Sequence, residues 1–254
     1  MLTRLESGLP GIVVGDGMIG AACRQFHAEE FSAVFFASGV ADSSCTDPGQ
    51  FLRERALLEH YLTEYGNLPL IYFSSASVYD YSLNQTSAYV AHKLLMEHLV
   101  STRPPYVICR ITQIVGQSRN KKTIVSSFYQ SIVNRQLIRI QRSARRNFID
   151  VDDMVRLVLE ALRAGEGLNQ VIDVGSLRYD SPMRLLEVLG ARVGLEPVFE
   201  MVDGGGSFEV DPSIAARFSG ALGIHFDEDY LPAVIAKYVQ PYAGTLRYPP
   251  QVIS

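Results

Sequence analysis

A tyrosine and a lysine four residues apart, in Tyr89-Val90-Ala91-His92-Lys93, follow an apolar run that ends in hydroxyls, Leu70-Ile71-Tyr72-Phe73-Ser74-Ser75. Leu94, Leu95, Met96, Leu99 and Val100 predict a helix over 88–100, which puts Tyr89 and Lys93 on one face. An ammonium held near a phenol favours the phenolate and draws it below its reference pKa of about 10, so the tyrosine can exchange a proton near neutrality. Ser75, at the end of a buried strand, can hold a substrate oxygen in the same place. In an arbitrary helix a Tyr-x-x-x-Lys pair is a packing ring and a solvated amine, so the rest of the chain decides its meaning.

The upstream residues supply elements that would position this pair. Gly11-Ile12-Val13-Val14 is a short β-branched run, followed by Gly15-Asp16-Gly17-Met18-Ile19-Gly20 and a helical pattern through Phe26. In that strand-to-helix context G-x-G-x-x-G brings backbone close to a pyrophosphate and aims helix N–H groups at it; a tight turn that binds nothing needs the same glycines. A second buried strand spans 31–36 and ends in Ala37, Ser38 and Gly39. An amphipathic helix over 51–66 closes on Gly66, a strand over 70–75 follows, and 106–111 is a further strand leading to Gly116. Strands alternating with helices predict a parallel sheet covered on both faces. Ligands of such sheets sit beyond the carboxyl ends of the strands, where Gly15, Ser38 and Ser75 all fall.

Residues 117–147 change character, with Lys121, Lys122, Arg135, Arg139, Arg142, Arg145 and Arg146 among polar neighbours. With no interleaved aromatics and a net charge of −4, nucleic acid is not the expected partner; a solvated face and a cationic rim for substrate phosphates both fit. Residues 148–153 open a helix through Arg163, with Asp152 and Asp153 as N-terminal caps, and 171–175 is another buried strand. Then come a helix near 182–189, a surface turn at Gly204-Gly205-Gly206 and an apolar stretch over 230–238. Cys23, Cys45 and Cys109 read as reduced, buried thiols. The histidines His27, His60, His92, His98 and His225 read as surface or packing residues without ligand spacing, so no metal is expected. Residues 1–10 lack the apolar core of a signal peptide, and no apolar run approaches the roughly 18 residues of a membrane span. A soluble, cytoplasmic protein is the expectation.

Taken in order, residues 15–20, 37–39, Ser74-Ser75-Ala76-Ser77-Val78-Tyr79, 89–93, 110–116, 146–153 and Val174-Gly175 resemble the extended short-chain dehydrogenase/reductases, in particular the NAD-dependent epimerase/dehydratases and nucleotide-sugar 4-ketoreductases. The resemblance implies a truncated Rossmann-like fold, a doubly wound α/β parallel sheet. Residues 1–116 and 148–175 would form the cofactor-binding core, and 117–147 with 176–254 a small C-terminal substrate-binding lobe. It implies NAD or NADP, held by Gly15, Gly17, Met18, Ile19, Gly20, Ala37, Ser38, Gly39, Ser74 and Lys93. Catalysis would fall to Ser75, Tyr89 and Lys93: the tyrosine as acid/base on a sugar hydroxyl or ketone, the lysine on the nicotinamide ribose, the serine on the sugar oxygen. Ser75, Ala76, Ser77, Gln113 and Arg146 would meet a nucleotide-sugar substrate, with Arg146 near its diphosphate. Relatives commonly form homodimers through helices corresponding to 51–66 and 88–100. Leu57, Leu58, Tyr61, Leu62, Leu95 and Leu99 suit that contact and equally suit burial within a monomer.

Departures from the family pattern shape the expected activity. Val14 stands where the usual G-x-x-G-x-x-G has its first glycine, and Asn147 where the R-D-F pattern has its acid. Ser75-Ala76-Ser77 replaces the Thr-Asp-Glu of the 4,6-dehydratases, which removes the acid and base for eliminating water. Where the family has a strand, helix and strand before residue 31, only about five residues remain. The acidic residue that would meet the adenosine ribose is missing, so NAD and NADP are not distinguished. A right-handed crossover would put 31–36 in the vacated position; the motif order puts it on the other side of the first strand, the arrangement favoured here. The expected activity is reduction of a 4-keto nucleotide-sugar, with 4-epimerisation as the alternative. A non-catalytic NAD(P)- or sugar-nucleotide-binding protein is a third reading, motivated by the missing segment and opposed by the intact Ser75, Tyr89 and Lys93.

Overall fold

A computed structural model describes residues 11–80, 87–117 and 120–242; the expectation for residues 1–10 lies outside them. In chain order the elements are β1 (Ile12–Val14), α1 (Met18–Gln25), β2 (Val34–Phe36), α2 (Pro48–Glu64), β3 (Leu70–Ser75), α3 (Ala88–Ser101), β4 (Tyr106–Ile111), β5 (Gln113–Val115), α4 (Ile124–Val133), β6 (Ile138–Gln141), β7 (Phe148–Asp150), α5 (Val151–Arg163), β8 (Gln170–Val174), α6 (Pro182–Val193), β9 (Phe199–Val202), α7 (Ser213–Phe218) and α8 (Tyr230–Tyr238). Helix starts follow side-chain caps: Asp47 accepts from the Gly49 N–H, Ser87 from Val90, Thr123 from Ser126 and Ser181 from Arg184. For α5 the cap is Asp150, which accepts from the Asp152 N–H. Asp152 and Asp153 are therefore first-turn residues and not caps, because β7 runs straight into the helix and its last residue takes that place.

The main sheet is parallel throughout, in the order β1-β2-β3-β4-β8. Alternation along its strands sends Phe35, Ile71, Phe73, Val107, Cys109 and Ile172 to one face, against α1 and α5. Val14, Val34, Phe36, Leu70, Tyr72 and Ile108 go to the other, against Leu58 and Leu62 of α2 and Met96 and Val100 of α3. The motif order therefore holds: β2 lies between β1 and β3. The chain steps in one direction from β1 to β2 to β3, but crosses on opposite faces, through α1 and then α2. The two crossovers are consequently of opposite hand, and one of them is the rare left-handed kind.

With no described strand on its outer side, β1 is an edge. Arg24 of α1 reaches across that edge, donating to the carbonyls of Val13 at 3.1 Å and Gly15 at 3.0 Å and pairing with Asp16 at 3.3 Å. One side chain thus satisfies the Val13 carbonyl, an acceptor that a neighbouring strand would otherwise meet, and ties the glycine turn to the strand.

A second core joins Ile132 of α4, Ile138 and Ile140 of β6, Leu185, Leu186 and Leu189 of α6, and Val234 and Ile235 of α8. The parallel pair β6–β9 belongs to this side of the molecule, and β5–β7 lies between the two cores, with Val115 and Phe148 in this one and Ile149 in the other. The cationic stretch 117–147 therefore contains a helix and a strand. Most of its charges do face outward, Arg139 pairing with Glu200 and Arg142 with Asp203. Gly204-Gly205-Gly206 is not a free surface turn: Ser143 N–H donates to Gly204 O, Arg146 to Gly206 O, and a Cβ on Gly205 would come 2.8 Å from Ala144 N. Among the described residues no helix is long and apolar enough to cross a membrane, and no cluster of metal-ligating side chains occurs.

Candidate active site

Beyond the carboxyl ends of β1 to β4, between the sheet and the second core, lies a cavity of about 1010 Å³. That is at the top of the 300–1,000 Å³ range of ordinary ligand pockets. Met18, Ile19, Ala37, Gly39, Ser74, Ser75, Tyr89, Lys93, Gln113 and Arg146 line it, together with Gly17. Gly15, Gly20, Ser38, Ala76 and Ser77, also expected at the site, are not part of that lining.

The glycines divide by physical role. Gly15 has φ +106°, and a Cβ on it would meet Ala37 O at 2.6 Å; a Cβ on Gly20 would meet Gly15 O at 2.1 Å. Both permit the close approach of β1, the end of β2 and α1. A Cβ on Gly17 would meet nothing within 4 Å, and Gly17 is the residue at the start of α1. No described side chain caps that helix, so its first N–H groups are open to an anion.

Tyr89 and Lys93 come from the first two turns of α3 and lie on one face, as the spacing predicts. Lys93 Nζ is 5.7 Å from the Tyr89 ring centroid, but it is directed at Glu54 Oε1 at 3.0 Å and the Tyr72 hydroxyl at 3.2 Å. Tyr89 has no hydrogen bond to its hydroxyl from any described group. Ser75 caps the short 3-10 turn Ala76–Tyr79, accepting from the Ser77 N–H at 3.2 Å, with the two serine hydroxyls 2.9 Å apart. Ala76 is buried, so of the expected Ser75-Ala76-Ser77 contacts only Ser75 reaches the cavity. Ser74 also lines it, though its hydroxyl donates to Glu97 at 2.6 Å, and Glu97 is gripped in turn by Arg110.

On the far wall, burial lowers the Arg146 guanidinium from its ordinary value, against the opposing charge of Asp80. It donates to the carbonyls of Arg145 and Gly206. Asn147 is buried behind it, accepting from Thr112 and the Ser176 N–H and donating to Ser176 O, which ties the end of β4 to that of β8. Sequence reading missed Thr112, Thr123 and Phe128 of the lining. Thr123 followed by Ile124, Val125, Phe128, Ile132 and Val133 is a capped apolar period that the surrounding charges obscured. The buried Glu54 was missed as well; an acid in the middle of an otherwise amphipathic helix carries no local signal of burial.

The sequence model of the NAD dependent epimerase/dehydratase family matches residues 4–175. No curated protein matches the sequence at a significant level. Among solved structures, the chain is similar to UDP-glucuronic acid 4-epimerase from Bacillus cereus in complex with UDP-glucuronic acid and NAD, at TM-score 0.66 and 17% identity over 85% of this chain and 76% of that one. It is similar to UDP-glucose 4-epimerase from Thermus thermophilus in complex with NAD, at TM-score 0.61 and 16% identity over 85% and 79%. RMD from Pseudomonas aeruginosa complexed with NADPH is similar at TM-score 0.62 and 19% identity over 81% and 80%. The structural likenesses show a shared fold, and the family match spans most of the chain from the glycine turn to the end of β8: this protein belongs to the NAD-dependent epimerase/dehydratase family.

Proposed function

We propose that the protein is an NAD(P)-dependent oxidoreductase acting on a nucleotide-activated sugar, and that the reaction is 4-epimerisation. The observation that carries this reading is the opening of Ser75, Tyr89 and Lys93 into the same cavity as the uncapped start of α1 at Gly17. The open helix end and the Cβ-free surface of Gly17 fit a dinucleotide's diphosphate, and the volume leaves room for a second ligand. Similarity to two UDP-sugar 4-epimerases supports the epimerase over the reductase.

A bound dinucleotide would supply the hydride acceptor and donor for the sugar carbon. Tyr89 accepts the proton of the C4 hydroxyl and gives it back, and the Ser75 hydroxyl holds the same oxygen. Lys93, in the lining of the same cavity, would hold the ribose. Gln113 and Arg146 stand on the substrate side, where a guanidinium suits a diphosphate. Thr123 and Phe128 complete that wall. Residues 1–116 and 148–175 then act as the cofactor-binding core, and 117–147 with 176–254 as the substrate lobe. Ketoreduction is the second reading, since the same groups serve a single hydride transfer.

The test is to assay purified protein for retained NAD(H), titrate it with NADH and NADPH, and follow C4 of UDP-hexoses by NMR. Interconversion of C4 epimers without net consumption of cofactor is the expected result. Stoichiometric NAD(P)H consumption with a 4-keto sugar would identify a reductase. No dinucleotide binding, with or without nucleotide-sugar, would leave a sugar-nucleotide-binding protein.

A further inference from the structure

Four groups converge on the carboxylate of Glu54, a side chain of α2 with 0% exposure. Oε2 accepts from the Val40 N–H at 2.6 Å and lies 3.0 Å from His92 Nε2. Oε1 accepts from the Tyr72 hydroxyl at 2.7 Å and from the Lys93 ammonium at 3.0 Å. Lys93, itself 2% exposed, also donates to the Tyr72 hydroxyl at 3.2 Å. An ammonium has three N–H groups. Among the described residues two of them are committed, which leaves one for the side on which Lys93 meets the cavity.

Glycine at position 39 makes the arrangement possible: a Cβ there would stand 2.7 Å from Lys93 Nζ and 3.1 Å from Glu54 Oε1. The cluster draws on α2, β3, α3 and the loop after β2, so it is fixed before any ligand arrives. Its charge balance matters because a buried ammonium without a counter-ion favours the neutral amine. Tyr72, His92 and Lys93 face the carboxylate directly; Tyr89 and Glu97 are the ionisable neighbours acting on Tyr72.

We propose that Glu54 is a positioning residue for Lys93, holding the ammonium charged and in place so that one N–H is presented to the ribose of a bound dinucleotide. This rests on the dinucleotide reading of the cavity. Glu54 acts through Lys93 and does not itself touch the ligand.

The test is NADH affinity, measured by fluorescence or calorimetry from about pH 7 upward. The wild type should bind with level affinity from about pH 7 to 9. Glu54→Gln should bind about tenfold more weakly at the low end and lose affinity further as pH rises, because the unpaired amine sheds its proton. Lys93→Met should bind weakly at every pH, and Glu54→Asp, with the charge kept and the reach shortened, should fall between with a level profile. Thermal melts confirm folding; if Glu54→Gln does not fold, Glu54→Asp decides the matter by weakening binding in the wild-type background and not in the Lys93→Met background, since a positioning effect runs through the lysine. Wild-type-like binding by Glu54→Gln, or by Glu54→Asp where it stands in, would overturn the role of Glu54 alone. A loss in Glu54→Gln that is the same at every pH would also overturn it, reducing Glu54 to a packing residue. Failure of the wild type to bind NADH would overturn the dinucleotide reading, and this inference with it.

Discussion

Tyr89 is nearly buried, has no described partner for its hydroxyl and lines the cavity. That is the situation of a group kept for a ligand. Tyr89→Phe should lower turnover by about 10²–10⁴ while NAD(H) binding is retained, since only a proton-transfer group is removed. Assay of the variant with its bound cofactor checks this; undiminished turnover would dismiss Tyr89 as the acid/base. Glu54 makes a second residue-scale prediction. Burial pushes its carboxyl up, but the His92 hydrogen bond, the Lys93 charge, the Val40 N–H and the Tyr72 hydroxyl together bring it from 4.5 down to about 2. A folded-state pKa below the unfolded one stabilises the fold above about pH 4.5, and that stability is lost as pH falls through about 2. The shift corresponds to about 3 kcal/mol as an order of magnitude. Urea unfolding should therefore show the stability gap between wild type and Glu54→Gln narrowing as pH is lowered across that window.

At the scale of elements, the glycine turn separates packing from binding. Gly20→Ala drives a Cβ to 2.1 Å from a backbone carbonyl and should cost several kcal/mol, read as a lowered melting temperature. Gly17→Ala meets open space, so the fold should keep its melting temperature while NADH affinity falls. Equal loss of stability in both would mean that the turn is only a turn. The edge of β1 illustrates the same economy of parts: Arg24 meets the outward carbonyl of Val13 where the family's missing strands would pair. How β2 comes to lie beside β3 is likewise an element-scale matter, settled by two hydrophobic faces that send α1 and α2 to opposite sides.

For the whole molecule, two cores meet across the cavity, and polar ties join them. Lys237 of α8 pairs with Asp150 and Asp152 at 2.7 Å each, and the Tyr238 hydroxyl donates to Asp150 at 2.7 Å. Asp152, Tyr238 and Arg146 line the cavity itself, so the second core is fastened at the site. The helices expected at a dimer contact divide their apolar residues. Leu58 and Leu62 are buried beneath the sheet, whereas Leu95 is 42% and Leu52 63% exposed. If the chain dimerises through α2 and α3, Leu95→Glu should shift sedimentation to a monomer with little change in stability. Leu58→Ala should instead destabilise the fold by about 2–5 kcal/mol.

The residues around the site were legible in the sequence where chemistry and local periodicity coincide. The strands β3 and β4, the helix carrying Tyr89 and Lys93, and the strand-turn-helix at Gly17 all follow from patterns within a dozen residues, because side-chain period and turn chemistry are local properties. The helix α4 was also encoded locally, in Thr123 and its apolar period, but charges around it masked the pattern. Other features depended on contacts between distant segments. Glu54 looks like one more polar residue on an amphipathic helix until Tyr72, His92 and Lys93 close around it from β3 and α3. Gly39 looks like a loop residue until the Lys93–Glu54 pair fills the space beside it. The partner of a buried charge and the space beside a glycine are set by segments far apart in the chain, so only the assembled fold decides them.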